Sequence, residues 1–183
     1  YVHDPETGER TGETTTDPET DRDRTIIGCA QPDLNLGWSN NFQYKNWNLD
    51  LFFTGVFGQD IYNATAEQYS NVSFVKEGRN VLKSVATEHR ATDTQSQAPS
   101  NRWIENGSYF RLSSVSLGYT FGKIGNWINS FKLYATCNNV FTITGYSGRD
   151  PEINLGGLEP GMDRRTNYYP RTRSFMIGLN VNF

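Results

Sequence analysis

NYYPRTRSFMIGLNVNF, residues 167–183, is the stretch on which the fold turns. From Phe175 onward an apolar residue stands at every second position: Phe175, Ile177, Leu179, Val181 and Phe183. Ser174, Gly178, Asn180 and Asn182 between them are small or polar, and only Met176 breaks the alternation. Successive side chains of a β-strand point to opposite faces, so this segment reads as a strand with one oily and one wet face. A soluble protein normally buries such a strand and then finishes on polar residues. Here the oily row runs to Phe183 itself.

The same two-faced pattern occurs four more times upstream. LNLGWSNNFQY puts Leu34, Leu36, Trp38, Phe42 and Tyr44 on one face, with Asn35, Gly37, Ser39, Asn41 and Gln43 opposite. WNLDLFFTGVF aligns Trp47, Leu49, Leu51, Phe53 and Phe57, and leaves Asn48, Asp50 and Thr54 with Phe52 and Val56 on the other face. Only Lys45-Asn46 separates these two, a hairpin-length turn. SYFRLSSVSLGYTF aligns Val115, Leu117, Tyr119 and Phe121, but Leu112 falls out of phase, which predicts a bulge near Ser113-Ser114. SFKLYATCNNVFTI aligns Phe131, Leu133, Ala135 and Cys137, and its phase becomes ambiguous at Asn138-Asn139.

Short and long connections alternate. The first pair of strands is joined by two residues and the second by GKIGNWIN, whereas residues 58–107 and 144–169 are long loops. Bacterial outer-membrane barrels have short periplasmic turns and long outer loops. In that frame the last strand runs inward and leaves Phe183 at the periplasmic interface. Aromatic residues then gather at both ends, as the girdles of such barrels do. Tyr44, Trp47, Tyr119, Phe121, Trp127 and Phe183 fall at the inner end; Phe57, Tyr62, Tyr109, Phe110, Tyr146, Tyr168 and Tyr169 fall at or above the outer end. Residues 172–183, extended and tilted by about 45°, cover roughly 28 Å, against an apolar band of about 25 Å.

The bulk composition agrees. The chain has 183 residues, 14% of them aromatic, and a mean hydropathy of -0.65. It has no apolar run of the roughly 18 residues that a membrane helix needs, but a membrane strand needs only about 9–11, half of them apolar. A net charge of -3 supplies no general attraction to nucleic acid. Cys29 and Cys137 have neither metal-ligand nor redox spacing and read as free thiols. His3 and His89 are isolated, no nucleophile–base set converges by spacing, and paired acids such as Asp150 and Glu152 need a cleft that sequence alone does not define. The expectation is therefore no catalysis, no metal and no cofactor.

Residues 1–33 are rich in acids and nearly free of apolar residues, and read as a solvated extracellular loop. Calcium is the one ion such a loop invites, but its D-x-[DN]-x-[DN]-G spacing is missing. The opening YVHDPETGER carries no Met and no signal peptide, which suggests a piece of a longer protein. Periodicity alone leaves a soluble carbohydrate-binding β-sandwich open, its greasy faces packed together. The alternating loops, the girdles and the final Phe favour a barrel.

ENGSYFRLSSVSLGYTF (105–121), CNNVFTITGYSGRDPEIN (137–154) and YYPRTRSFMIGLNVNF (168–183) resemble the C-terminal end of SusC/RagA-like TonB-dependent transporters, outer-membrane importers of Bacteroidota. TIIGCAQPDLNLGWSNNFQYKNWNLDLFFTGVFGQDIYN (25–63) is similar to the hairpin that precedes it. The resemblance implies an all-β, antiparallel transmembrane barrel of about 22 strands, plugged by an N-terminal domain, of which residues 34–183 would form the last five strands, with the plug absent from this chain. It implies a SusD-like surface lipoprotein as lid, energy from the TonB complex through a segment ahead of the plug, and oligosaccharide or peptide as cargo. The SGRDPE-type motif sets it apart from TonB-dependent siderophore or vitamin receptors. It makes Phe183 the mark read by the barrel-assembly machinery, and places Phe175, Ile177, Leu179 and Val181 against outer-membrane lipid.

The most function-like loop is SGRDPEINLGGLEPGMDRRTNYY (147–169). Arg149, Asp150, Glu152, Asp163, Arg164 and Arg165 offer hydrogen bonds to hydroxyl or peptide groups, and Tyr168 and Tyr169 offer stacking surfaces for sugar rings. The competing reading is structural: Arg149 and Asp150 pin the loop through salt bridges and the tyrosines join the girdle. The 58–107 loop is the place for the lid lipoprotein to dock, or is simply a packed outer loop.

Overall fold

The computed structural model describes residues 6–7, 26–70, 72–83, 100–123, 125–153, 161–163 and 169–183. Five long strands form one antiparallel sheet: β1 (Leu34–Tyr44), β2 (Trp47–Phe57), β5 (Tyr109–Phe121), β6 (Ser130–Thr144) and β7 (Ser174–Asn182). They lie side by side in chain order, each paired with the next. A small second ladder, β3 (Asp60–Tyr62) with β4 (Ile104–Asn106), and the short helix α1 (Ala64–Tyr69) sit in the connection between β2 and β5.

Direct cross-strand partners share a face, so the register sorts every side chain. The pairs Leu179↔Leu133, Leu133↔Tyr119, Tyr119↔Trp47 and Trp47↔Tyr44 run across the whole sheet on the apolar face. The next row polewards is Ile177↔Ala135, Ala135↔Leu117, Leu117↔Leu49 and Leu49↔Phe42. The opposite face carries Asn180, Lys132, Thr136, Ser116, Asn48, Asp50 and Asn41. There Asn41 and Asn48 both donate side-chain N–H groups to the Asp50 carboxylate, and Thr136 Oγ1 donates to Ser116 Oγ at 2.9 Å. The face assignments read from alternation hold for all five strands.

The apolar face is bare. Ile177 is 81% exposed and Leu179 63%, and Trp38, Phe42, Trp47, Leu117, Leu133 and Ile143 are exposed with them. A β-sandwich would cover this face with a second sheet. Among the described residues the only other sheet is the β3–β4 ladder, and the buried apolar cluster of Ile61, Tyr146 and Ile153 lies in the loops. The described residues are not arranged as a sandwich. Among the described residues no helix is long and apolar enough to cross a membrane, which says nothing about strands.

Aromatic rings line this face in two rows. Toward the short turns, Trp47 meets Tyr119 edge-on at 4.8 Å, Tyr119 meets Phe121 at 4.6 Å, and Phe121 meets Phe131 at 5.3 Å. Six residues along β2, about 20 Å at the strand rise, Trp38 stacks on Phe53 at 5.2 Å and Phe53 on Phe110 at 5.4 Å. Such rows at two heights are what an apolar band bounded by girdles requires. Tyr109 and Tyr146 do not join them. Both are buried on the inner side beneath the loops.

The bulge expected near Ser113 is present, and it widens across the sheet. Phe52 and Phe53 are adjacent in β2; their partners Ser114 and Leu112 in β5 are separated by Ser113; in β6 the partners Asn138 and Phe141 are separated by Asn139 and Val140. Asn139 adopts φ 53°, a left-handed conformation that asparagine tolerates better than most residues. The unpaired carbonyls of Asn139 and Val140 are taken by Arg173, whose guanidinium donates to both, while Asn139 Nδ2 donates to Thr172 O. The 45–46 turn is likewise left-handed at Lys45, φ 52°. Residues 1–5 and 8–25 of the acidic segment lie outside the described residues. Cys29 and Cys137 are both free thiols.

The facing assignment has a direct test in the full-length protein. Leu179→Arg places a charge on the lipid side and lowers barrel stability by about 2–4 kcal/mol. Met176→Arg, one strand position away from Ile177 but on the polar face opposite Thr136, costs under about 1 kcal/mol. Urea unfolding of both variants reconstituted in bilayers reads the difference, and a reversed order refutes the assignment.

Candidate functional site

Above the long-loop end of the sheet the connecting segments fold into a small packed layer. Asn63 organises it. Its Oδ1 accepts from Ala66 N at 2.8 Å and so caps α1, while its Nδ2 donates to Glu105 Oε1 at 2.8 Å and to Ser147 Oγ at 3.2 Å. Glu105 also accepts from Ser147 N and Oγ, both at 2.7 Å. One asparagine thus ties α1 and β4 to the loop after β6. Tyr146 reaches the same layer from below and donates its hydroxyl to Asp163 Oδ2 at 2.8 Å. Tyr62 donates to Glu67 Oε2 at 2.7 Å. Burial first, and the hydrogen bond and charge of Glu67 next, push the Tyr62 phenol well above its ordinary range.

The layer is bolted to the sheet by Arg111. In the phase of Val115 and Leu117 this residue would point to the apolar exterior. The extra residue at Ser113 shifts the phase by one, so that Leu112 and Phe110 face outward and Arg111 and Tyr109 face inward. Arg111 is 2% exposed, yet every arm of its guanidinium has a partner. Nε donates to Thr142 Oγ1 at 2.8 Å, Nη1 to Glu152 Oε2 at 2.7 Å and Nη2 to Asp150 Oδ1 at 2.6 Å, with the Tyr109 ring 5.2 Å from Cζ. Asp150 is 7% exposed and also accepts from the backbone N–H groups of Glu152 and Arg171. Arg171 adds an ion pair to Glu152. A buried guanidinium survives only when charge and hydrogen bonds are both satisfied, and Arg111 has two carboxylates and a hydroxyl around it.

The nominated loop residues therefore divide. Asp150 does enter a salt bridge, but its partner is Arg111 of β5 and not a neighbour in the loop. Glu152 is held the same way. Both carboxylates are engaged by the Arg111 guanidinium. Arg149 is exposed and makes no hydrogen bond or ion pair with another described residue. Asp163 is buried, held by Tyr146. Tyr169 is exposed, as is Phe183, one residue beyond β7. Arg164, Arg165 and Tyr168 lie outside the described residues. Sequence reading missed Arg111, although the misplaced Leu112 was its signal: whatever turns Leu112 outward turns Arg111 inward.

Two hollows accompany these features. One, of about 480 Å³, lies on the apolar face around Ala135, between Leu117, Leu133 and Ile177; its lining suits an acyl chain. The other, of about 400 Å³, lies in the loop layer. It is lined by Ala66, Tyr69, Val81 and Leu82 together with Ser147, Gly148, Arg149 and Asp163. Gly148 is required there, because a Cβ on it would stand 2.3 Å from the Tyr146 ring. Among the described residues no cluster of His, Cys, Asp and Glu is arranged to hold a metal ion.

An open sheet with a bare oily exterior and a polar, loop-capped interior is a piece of the wall of a transmembrane β-barrel. No family model matches the chain. It is 31% identical to TonB-dependent receptor P3 and 34% identical to TonB-dependent receptor P39, both of Formosa agariphila, with 88% of this chain and 17% of each receptor aligned. It is 28% identical to TonB-dependent receptor SusC of Bacteroides thetaiotaomicron over 88% of this chain and 16% of the receptor. The fold matches the RagAB peptide transporter with a TM-score of 0.74 at 24% identity, over 99% of this chain and 21% of that one, and the RagAB peptide importer in its closed-closed state with a TM-score of 0.70 at 22% identity, over 92% and 19%. The chain spans about a sixth of the length of the receptors it matches. In sequence it is similar to TonB-dependent receptors, SusC among them, and in fold it is a segment of the kind of barrel that RagAB contains.

Arg111→Ala leaves Asp150 buried without its counter-charge, and should lower the stability of the full-length protein by about 3–5 kcal/mol. Arg171→Ala, at a 55% exposed side chain, costs under about 1 kcal/mol. Thermal unfolding ranks the two. Limited trypsin digestion reads the loop itself: cleavage after Arg149 accelerates in Arg111→Ala and stays near wild type in Arg171→Ala.

Proposed function

We propose that this chain is part of the wall and outer loops of a TonB-dependent outer-membrane importer of oligosaccharides or peptides, working with a SusD-like surface lipoprotein. The observation that carries the reading is the sheet itself. It has a bare apolar exterior, a polar interior and, among the described residues, two unpaired edges, β1 and β7. In hydrocarbon each unsatisfied backbone group costs several kcal/mol, so only closed barrels are viable. The open edges call for the remaining strands of the barrel, and the polar face calls for a plug. The likeness to receptors named for TonB dependence supports the energy source, and the likeness to RagAB, named a peptide transporter, supports a nutrient cargo.

On this reading the chain does no chemistry. Its strands hold loops, and the Arg111 network fixes the loop after β6 over the inner face. The loop layer around α1 is the surface offered to the lid lipoprotein.

The test uses the full-length protein in its own cell envelope. It should fractionate with outer membrane, require detergent for extraction, and bring down a surface lipoprotein when affinity-purified. Loss of either the transporter or TonB should abolish growth on the same restricted nutrient. Recovery from the soluble fraction without detergent, or growth indifferent to TonB, would refute the proposal.

A further inference from the structure

The charges of the nominated loop do not all serve the Arg111 network. Arg111, Asp150, Glu152 and Arg171 are joined by ion pairs. Arg149, the residue before Asp150, stays outside that network. It lines the 400 Å³ hollow of the loop layer together with the buried Asp163. Asp163 is held on one oxygen by the Tyr146 hydroxyl and on its backbone N–H by Tyr62 O at 3.0 Å. No salt bridge joins Arg149 to Asp163, so the hollow shows a cation and an anion that do not neutralise one another. Ala66, Tyr69, Val81 and Leu82 give the same hollow an apolar part of its lining, with Asn63 and Thr65 beside them.

From this arrangement we infer that the hollow is a subsite for a carboxylate-bearing unit of the cargo, an inference that rests on the importer reading for its ligand being cargo. An exposed guanidinium with no partner among the described residues pairs best with a planar carboxylate, which takes two of its N–H groups side by side. The nearby Asp163 carboxylate selects against dianions such as phosphate by like-charge repulsion. It favours a ligand that carries a hydroxyl or amine donor beside its single negative charge. The apolar part of the lining, with the Tyr69 ring, receives the body of a sugar ring or an aliphatic side chain. Two sources present this chemistry, a sugar acid in an oligosaccharide and the end of a short peptide.

Equilibrium binding to the purified full-length transporter distinguishes them, and needs no TonB. Trigalacturonate is compared with its trimethyl ester, and tri-alanine with tri-alanine amide. The expected result is that one acid binds about tenfold more tightly than its neutral counterpart, the scale of one charge-assisted hydrogen-bonded pair. Arg149→Ala erases that preference and Arg149→Lys keeps part of it. The pair that shows the preference names the source. Equal binding of acid and neutral probes, binding of neither acid, or a preference that survives Arg149→Ala overturns the inference. The reduced gel mobility shift of an unfolded barrel is the check that Arg149→Ala is folded. TonB-dependent uptake that persists while the acid preference is absent sinks the subsite and leaves the importer standing; uptake indifferent to TonB sinks the importer.

Discussion

A β-strand gives each residue only two directions, and in this sheet those directions are hydrocarbon and interior. One extra residue reverses them for everything beyond it. Ser113 is that residue. On the turn side of it, the odd-numbered positions of β5 face out as Val115, Leu117, Tyr119 and Phe121; on the loop side, Leu112 and Phe110 do. The hydroxyl of Ser113 is met by Thr54 Oγ1 at 2.7 Å, so the interruption is itself hydrogen-bonded. Without the shift Arg111 would lie on the apolar exterior, where a cation is unfavourable and where it could not reach Asp150. With it, Arg111 becomes the post to which the loop after β6 is tied. The widening of the same bulge in β6 bends the wall just below the loop layer, and Arg173 supplies the donors that the interrupted ladder lacks.

A second constraint follows from solvent. The exterior is stabilised only where acyl chains cover it, and the edges only where further strands pair with them. Neither condition is met by this segment alone, which is why its burial is concentrated in the loop layer and not in the sheet. Ile61, Tyr146 and Ile153 form the buried cluster, while the strands keep most of their large apolar side chains exposed. The segment stores its order in backbone pairing and cross-strand rows, and the rest of the barrel converts those rows into a closed wall.

Period-two alternation made the wall legible from sequence. Long strands repeat the signal often enough to be read, and even the phase slip at Leu112 stood out. The loop layer was another matter. β3 and β4 have three residues each, too few for alternation to show, and α1 has six, little more than one turn. Their stability comes from Asn63, Glu105 and Ser147, which are 42 and 84 positions apart from one another or from Asn63 along the chain. No local pattern announces such a set. Asp150 was singled out for its type and neighbours, but its partner Arg111 lies 39 residues away on a strand. The tyrosines misled for a related reason. Tyr109 and Tyr146 sit at the height of a girdle, and only the phase shift and the loop packing reveal that they face inward.

The loop after β6 therefore carries two kinds of charge that look alike in sequence. Arg149 and Asp150 are adjacent, and both were candidates for contact with cargo. Asp150 is desolvated and matched with Arg111, so any ligand would have to displace a charge-assisted bond made in a low-dielectric setting to reach it. Arg149 bears no such debt. Its side chain is exposed, and exchanging solvent for a carboxylate costs little beyond the ordering of the side chain. Burial and partner count, and not residue type, separate the charge that builds the loop from the charge of the proposed subsite. That distinction makes the loop both rigid and available: the Arg111 network holds the backbone of Asp150 in place, and Arg149 is presented from the position next to it.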